Sequence, residues 1–165
     1  MPRSHYRPDS FHLRDSIGYL VKRSQRLMQD RIEGLFEQQG FTLQQWVVLM
    51  YLRDGLAVTI ADICRDLHHD SGAMTRLVDQ LEARKLIERR RKADDRRVVE
   101  LSLTDAGAEV LDTLVPTACD ALNTSLDGFT REEVKMLQSM LRRLIGRLEE
   151  LMPTSASPSD KEKAS

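Results

Sequence analysis

Residues 59–107 decide the fold and read TIADICRDLHHDSGAMTRLVDQLEARKLIERRRKADDRRVVELSLTDAG. A cap at Thr59 precedes IADICRDL, whose apolar residues recur at helical spacing. The polar break HHD follows at residues 68–70, and a second helix is predicted from about Ser71 to about Arg84. After this helix the hydrophobic period falls to two, which indicates a strand. The predicted order is therefore short helix, tight break, second helix and strand.

The segment after the second helix predicts a basic two-stranded hairpin. Val99, Leu101 and Leu103 alternate with polar residues, as in a strand that is buried on one face. Ile87 supplies the partner strand. Residues 84–97 hold eight Lys or Arg and three Asp or Glu, so the local net charge is +5 while the whole chain carries −1. Such charge segregation favours a polyanionic partner, although a solvated basic loop is the alternative.

This order of elements is typical of a winged helix-turn-helix, whose second helix enters the DNA major groove. Four apolar residues of that helix at i, i+3, i+4 and i+7 define its inner face, so Thr75 and Arg76 point outward. Arg76 has the fork geometry for a guanine edge, and Thr75 can contact a base or a thymine methyl. The alternative for Arg76 is an ordinary surface pair with Asp79 or Gln80.

The residues predicted to contact DNA lie at the start and outer face of the second helix and along the hairpin. The basic hairpin residues are expected mainly at phosphates. On the helix they are Ser71, Gly72, Thr75, Arg76 and Gln80; on the hairpin they are Arg89, Arg90, Arg91, Lys92, Asp95, Arg96 and Arg97.

Long amphipathic helices flank this lobe, so the predicted fold is mainly α with a small β-wing. The first runs from residue 11 to Gly40, and the last carries leucines at steps of three and four up to Leu151. Pro116 is expected to kink the helix before it. The predicted organisation is a flexible arm at 1–10, dimerisation helices at 11–40 and 104–152, a DNA-binding lobe at about 42–104, and a disordered tail at 153–165.

Residues 11–152 resemble the MarR family of transcription regulators. The resemblance rests on SGAMTRLVDQLE at 71–82, on Asp-Arg-Arg at 95–97 and on LTDAG at 103–107, in this order. It implies a homodimer with two winged lobes joined by terminal helices, which acts most often as a repressor released by a small ligand. A dimer predicts a pseudo-palindromic operator on double-stranded DNA, with half-sites about one helical turn apart or a multiple of it.

The resemblance also assigns roles and shows departures. It implies that Arg97 reaches the minor groove and that Asp95 holds the Arg97 side chain. Lys85 stands where the family usually has glycine, so it is expected to carry a positive φ. His68 and His69 occupy a turn where the family commonly has glycine.

A small-molecule effector is the further implication of the resemblance. In the family, such ligands bind a cleft lined by helices one, two and five, and small aromatic acids, phenolics or lipophilic drugs are the usual class. A core role is the alternative for Trp46, the only tryptophan. The residues expected at this cleft are His12, Ile17, Tyr19, Trp46 and Met50.

Composition excludes several other classes. The 165 residues are 41% hydrophobic and 31% charged, which suits a folded domain. No apolar run reaches membrane-spanning length, and the polar first fifteen residues do not predict a secretory signal. Cys64 and Cys119 are too sparse for a disulfide scaffold and fit a reducing cytoplasm. No nucleophile–base pairing, phosphate loop or cofactor motif is present, so an enzyme is not expected.

Several alternatives stay open at this point. The polar turn at 62–70 holds metal-binding residue types, but Cys64 falls on the core face and adjacent histidines rarely share one ion, so no metal site is predicted. The peroxide-sensing branch of the family uses a cysteine near the start of helix one, which this chain lacks. A redox-responsive regulator acting through Cys119, a constitutive architectural DNA-binding protein and a protein-binding helical adaptor are the remaining alternatives.

Overall fold

The computed structural model describes residues 4–92, 94–95 and 97–152. The predicted tail at 153–165 and Arg96 lie outside the described residues. Within this part the chain is mainly helical with one two-stranded sheet, as predicted. The helices are α1 (Ile17–Glu37), α2 (Leu43–Arg53), α3 (Ile60–Leu67), α4 (Ser71–Ala83), α5 (Asp105–Ser125) and α6 (Arg131–Leu151), the strands are β1 (Ile87–Arg91) and β2 (Val99–Leu103), and short 3₁₀ turns lie at Pro8–Ser10 and Leu13–Asp15.

The first helix begins later than its apolar period predicts. Leu13–Asp15 forms a 3₁₀ turn, and α1 starts after Ser16, whose hydroxyl accepts a hydrogen bond from the Tyr19 N–H at 3.3 Å. A serine at this position competes with helix continuation because its side chain satisfies a free N–H. The Ile17 N–H donates to the hydroxyl of Tyr6 at 2.9 Å, which attaches the segment before the helix to its first turn.

Side-chain caps set the boundaries of the helix-turn-helix. Thr42 and Gln45 form the predicted reciprocal capping box at the start of α2. The Thr59 hydroxyl accepts from the Asp62 N–H at 3.1 Å at the start of α3. His68 ends α3 in the left-handed conformation, with φ of 52°, and so makes the sharp turn into α4. A non-glycine residue therefore fills the position where the family commonly has glycine.

The wing is an antiparallel pair built on the core. Its register runs from Ile87 opposite Leu103 to Arg91 opposite Val99. Ile87 and Leu101 are buried among the core residues of α2, α3 and α4, as the alternation of β2 predicted. A third segment supports the sheet, because the Leu101 N–H donates to the Val58 carbonyl at 2.7 Å.

The junction between α4 and β1 confirms the expected positive φ at Lys85, which is 60°. The Lys85 N–H donates to the Glu82 carbonyl at 2.8 Å, and the Leu86 N–H donates to the Leu81 carbonyl at 3.0 Å. These bonds satisfy the last turn of α4. The left-handed residue thereby turns the chain from the helix directly into the wing.

The chain forms two compact units, one up to Ser125 and one from Leu126 onward. In the first unit α5 packs with α1 and α2, and Pro116 lies inside it. In the second unit α6 begins with the predicted capping box of Thr130 and Glu133. No helix of the described segments has the length and apolar character that crossing a membrane requires.

Candidate nucleic-acid interface

The recognition helix of this fold is α4, and its two faces lie as the apolar spacing predicted. Met74, Val78 and Leu81 are buried in the core. On the opposite face Thr75 and Arg76 are exposed, and so is Gln80. The Gln80 side-chain oxygen accepts from the amide of the buried Gln45 at 3.3 Å, so Gln80 is partly held by α2.

The amino end of α4 combines small residues with a carboxylate. Ser71 and Gly72 are exposed at the first turn, and the Thr75 hydroxyl donates to the Ser71 carbonyl at 2.8 Å. Asp70 caps the helix by accepting from the Ala73 N–H at 2.9 Å. The helix terminus favours anions through its free N–H groups, but the Asp70 carboxylate opposes a phosphate there.

Arg76 is the cation that α4 presents outward. Its side chain makes no hydrogen bond or ion pair with any residue in the described ranges, and it lies on the exposed face between Thr75 and Asp79. The alternative surface pair with Asp79 or Gln80 therefore does not form in this structure. A guanidinium in this position retains its five donors for a base edge or phosphates.

Arg89 has a different environment from the other wing cations. Its Nη2 lies 2.6 Å from Oδ1 of Asp79, and its Nη1 lies 2.6 Å from Oε2 of Glu82. The Arg89 side chain is only 26% exposed, compared with 73% for Arg90. Arg89 thus faces α4, although its place in the basic run predicted a phosphate contact.

The following wing cations point to solvent. Arg91 is exposed and has no ion-pair partner within the described part of the chain. Arg90 pairs with Glu88 at 2.5 Å, and Lys92 lies 3.9 Å from Glu100. These exposed pairs are weak, so their cations can exchange partners for phosphates at small cost.

The wing tip is ordered by Asp95. Its Oδ1 accepts from the backbone N–H of Arg97 at 3.0 Å, and the Val98 N–H donates to the Asp95 carbonyl at 2.9 Å. The expected contact between the Asp95 carboxylate and the Arg97 guanidinium is not formed, because the short side chain closes a local turn with the N–H two residues ahead. Asp95 therefore shapes the backbone that carries Arg97.

Three acidic residues of this surface were missed by sequence reasoning. Asp79 and Glu82 were not expected to bind Arg89, and Asp70 was seen only as part of a polar turn. The i, i+3 spacing of Asp79 and Glu82 was the available signal, since it places both carboxylates on one side of α4.

The residues predicted for an effector site divide into two groups. His12 and Ile17 are exposed at the start of the arm, and Tyr19 is half-buried on α1. Trp46 and Met50 pack against the core, with the Trp46 ring 5.4 Å from that of Phe36. The Trp46 Nε1 atom is buried, and among the described residues it has no hydrogen-bond partner. A buried donor without an acceptor is uncommon and requires an explanation.

A separate cleft of about 480 Å³ lies between α1, the start of α2 and the turn before α4. Its lining includes Gln29, Glu33, Val47 and His69, and none of the five predicted effector residues. Glu33 helps to build it, because its Oε2 accepts from the Leu43 N–H at 2.6 Å.

The two cysteines differ in environment. Cys64 is half-buried, and its burial, together with the nearby Asp70 carboxylate, raises the pKa of its thiol. A raised pKa lowers the thiolate fraction, so Cys64 is poorly suited to redox sensing. Cys119 is exposed on α5. Across the described segments no three His, Cys, Asp or Glu side chains are grouped to hold a metal ion.

The fold and its surface define a winged helix-turn-helix DNA-binding protein. The MarR family model matches residues 39–98, which include α2 to the wing tip. The chain is 35% identical to the transcriptional repressor MprA of Escherichia coli over 128 residues, which cover 76% of this chain and 72% of MprA. The chain belongs to the MarR family and is a DNA-binding transcription regulator.

Two further similarities extend over more of the chain. The organic hydroperoxide resistance transcriptional regulator of Bacillus subtilis is 28% identical over 137 residues, which cover 83% of this chain and 92% of that protein. The structure of BpsR from Bordetella bronchiseptica, whose DNA binding is regulated by 6-hydroxynicotinic acid, superposes with a TM-score of 0.71 at 25% identity and covers 81% of this chain and 96% of BpsR. These similar proteins are regulators, not enzymes.

Proposed function

We propose that the protein is a dimeric, sequence-specific repressor that is released from its operator by a small aromatic or lipophilic ligand. The observation that carries the DNA-binding part is the position of the unpaired Arg76 on the outer face of α4, beside the exposed cations of the wing. Because its partner is chromosomal DNA, we place its action in the cytoplasm.

In this proposal the two elements read DNA differently. Arg76 and Thr75 contact base edges in the major groove, while Ser71 and Gly72 approach a phosphate at the start of α4. Arg90, Arg91 and Lys92 contact phosphates. Arg97 enters the minor groove from the turn that Asp95 shapes, where narrow A·T-rich tracts attract cations. Gln80 and Arg96 are retained as further DNA contacts.

Selection of bound sequences from a random DNA pool tests this reading. The wild-type protein is expected to enrich a pseudo-palindrome with two half-sites about one helical turn apart, or a multiple of it. Arg76→Ala is expected to lose preference at one position of each half-site and to weaken operator binding by ~1–3 kcal/mol. Enrichment of no sequence by the wild type would refute sequence-specific binding.

The dimer is proposed from the terminal helices, whose apolar faces are uncovered in the single chain. On α1, Leu20 and Leu27 are exposed; on α6, Leu137, Leu148 and Leu151 are exposed. Exposed apolar stripes of this length are uncommon on monomeric proteins and mark interaction surfaces. A second copy of the chain would cover them symmetrically.

Sedimentation of a matched pair of α6 variants tests the dimer. Leu144→Glu places a charge on the apolar stripe and is expected to produce monomers that no longer bind the operator. Lys135→Glu lies on the opposite side of α6 and is expected to remain dimeric. A wild-type protein that sediments as a stable monomer at micromolar concentration would contradict the proposal.

The effector is proposed to lie beside Trp46, because the unpartnered indole N–H can donate to an oxygen acceptor of a bound ligand. BpsR, which responds to 6-hydroxynicotinic acid, supports an aromatic acid as the class to try first. A ligand can release DNA only if it binds more tightly to a conformation whose recognition helices no longer match the half-sites.

Titration with a panel of phenolic and aromatic acids, followed by Trp46 fluorescence, tests this position. Trp46→Phe keeps an aromatic ring and removes only the donor, so ligand affinity is expected to fall while operator binding persists. Gln29→Ala tests the 480 Å³ cleft in the same way. A ligand whose affinity falls only in Gln29→Ala would move the site to that cleft. If no compound changes fluorescence or DNA affinity, the constitutive alternative is favoured, and Cys119→Ser then tests the redox alternative through its response to peroxide.

A further inference from the structure

We infer that Arg89 is a positioning residue, which fixes the wing to the recognition helix by bridging Asp79 and Glu82. This inference goes beyond the assignment of Arg89 to the phosphate contacts and rests on the proposed DNA-binding function for its effect on operator affinity. It concerns how the distance between Arg76 and the wing cations is set.

The geometry of the bridge is specific. Two different terminal nitrogens of one guanidinium each reach a different carboxylate, at 2.6 Å to Asp79 and 2.6 Å to Glu82. Distances this short are typical of charge-assisted hydrogen bonds. The carboxylates come from positions i and i+3 of α4, and the guanidinium comes from the middle of β1. One side chain therefore joins the two elements that contact DNA.

The place of Arg89 in the sheet supports the same conclusion. It is paired in register with the buried Leu101, and its side chain is 26% exposed. Releasing Arg89 to a phosphate would leave Asp79 and Glu82 unpaired on the helix that approaches DNA, where two negative charges would repel the backbone. Keeping the bridge is therefore electrostatically preferred over a phosphate contact.

Lysine distinguishes a bridge from a phosphate contact. An ammonium on a flexible stem can replace a guanidinium at a phosphate, but it lacks the rigid fork that reaches two carboxylates at once. Arg91 is the matched comparison, because it lies two residues further along the same strand and is exposed without an ion-pair partner among the described residues.

The experiment measures operator affinity at several salt concentrations for glutamine and lysine variants at both positions. Arg89→Gln is expected to weaken operator binding on the order of tenfold with the wild-type salt slope, and Arg89→Lys is expected to restore little of it. Arg91→Gln is expected to reduce the salt slope by about 0.9, and Arg91→Lys to restore most of the lost affinity. Glu82→Gln removes half of the bridge from the other side and is expected to act in the same direction as Arg89→Gln.

Hydrogen exchange in the DNA-free protein provides a second readout. The Lys92 N–H, which donates to the Val98 carbonyl at 3.0 Å, is expected to exchange severalfold faster in Arg89→Gln and Arg89→Lys than in wild type, and not in Arg91→Gln. A salt slope that falls by about 0.9 in Arg89→Gln, with affinity restored by lysine, would identify a phosphate contact and overturn the inference. Unchanged affinity and exchange in Arg89→Gln would overturn it too. A wild-type protein that binds no DNA would refute the proposed function, and the exchange comparison alone would then decide on the bridge.

Discussion

Gly107 is the position where the arm helix α5 touches the base of the wing most closely. A Cβ atom added there would lie 2.1 Å from the Leu86 carbonyl oxygen and 2.7 Å from Cδ1 of Leu103. The first atom belongs to the backbone, so rotation of a side chain cannot relieve the overlap. In Gly107→Ala the start of α5 must therefore move away from the wing.

The cost follows from the contacts that this movement breaks. The Leu86 carbonyl accepts from the Thr104 N–H at 3.1 Å, and the Thr104 hydroxyl accepts from the Gly107 N–H at 3.1 Å. Loss of these bonds and the strained packing together predict destabilisation by ~2–4 kcal/mol. For a chain of this size that lowers the melting temperature by about 4–16 °C.

Thermal unfolding followed by circular dichroism measures this effect at one fixed protein concentration, because dimerisation would make the midpoint depend on concentration. Gly34→Ala is the control, since an added Cβ in the interior of α1 meets no atom within 4 Å. The control is expected to melt at or slightly above the wild-type temperature, because alanine is the better helix former. A Gly107→Ala protein that melts within 2 °C of wild type would refute the reasoning.

Three further predictions follow from single contacts. Lys85→Gly is expected to stabilise the protein by up to about 1 kcal/mol in urea unfolding, because it relieves the left-handed backbone; a loss of stability would contradict this. Asp70→Asn keeps the cap of α4 and removes a negative charge, so operator affinity is expected to rise severalfold with unchanged stability; equal or weaker binding would place the DNA backbone elsewhere. Burial and the hydrogen bond to Asp66 raise the pKa of Tyr51 to about 12, above its usual 10, so this contribution to stability is present below pH 10 and is lost as the pH rises from 10 to 12. The stability difference between wild type and Tyr51→Phe should therefore shrink between pH 9 and pH 11.5, and a constant difference would contradict the shift.

The features that depend on neighbouring residues were predictable from the sequence. The reciprocal caps at Thr42 and Thr130 have a three-residue signature, and both are formed. The inner face of α4 followed from its apolar spacing, and the positive φ at Lys85 followed from the usual glycine of the family. The late start of α1 was missed, because the apolar period continues through residues 11–16 and gave no weight to the cap at Ser16.

The features that depend on contacts across elements were not predictable in the same way. A run of basic residues gives each arginine the same apparent role, but only the fold brings Arg89 beside Asp79 and Glu82. Likewise, the missing partner of the Trp46 N–H becomes visible only when the packing around the ring is known. Pattern reasoning finds the basic surface and the helix faces, whereas pairing within that surface requires the tertiary structure.

The central claim is that α4 reads bases and the wing binds phosphates. Titration of wild type, Arg76→Ala and Arg91→Ala against operator and scrambled DNA at several salt concentrations tests it most directly. Arg76→Ala is expected to lower the ratio of operator to scrambled affinity, because it removes a base contact. Arg91→Ala is expected to preserve that ratio, weaken both DNAs alike and reduce the salt slope by about 0.9. If both variants retain the specificity ratio and the salt slope of wild type, the assignment of α4 and the wing to DNA is wrong.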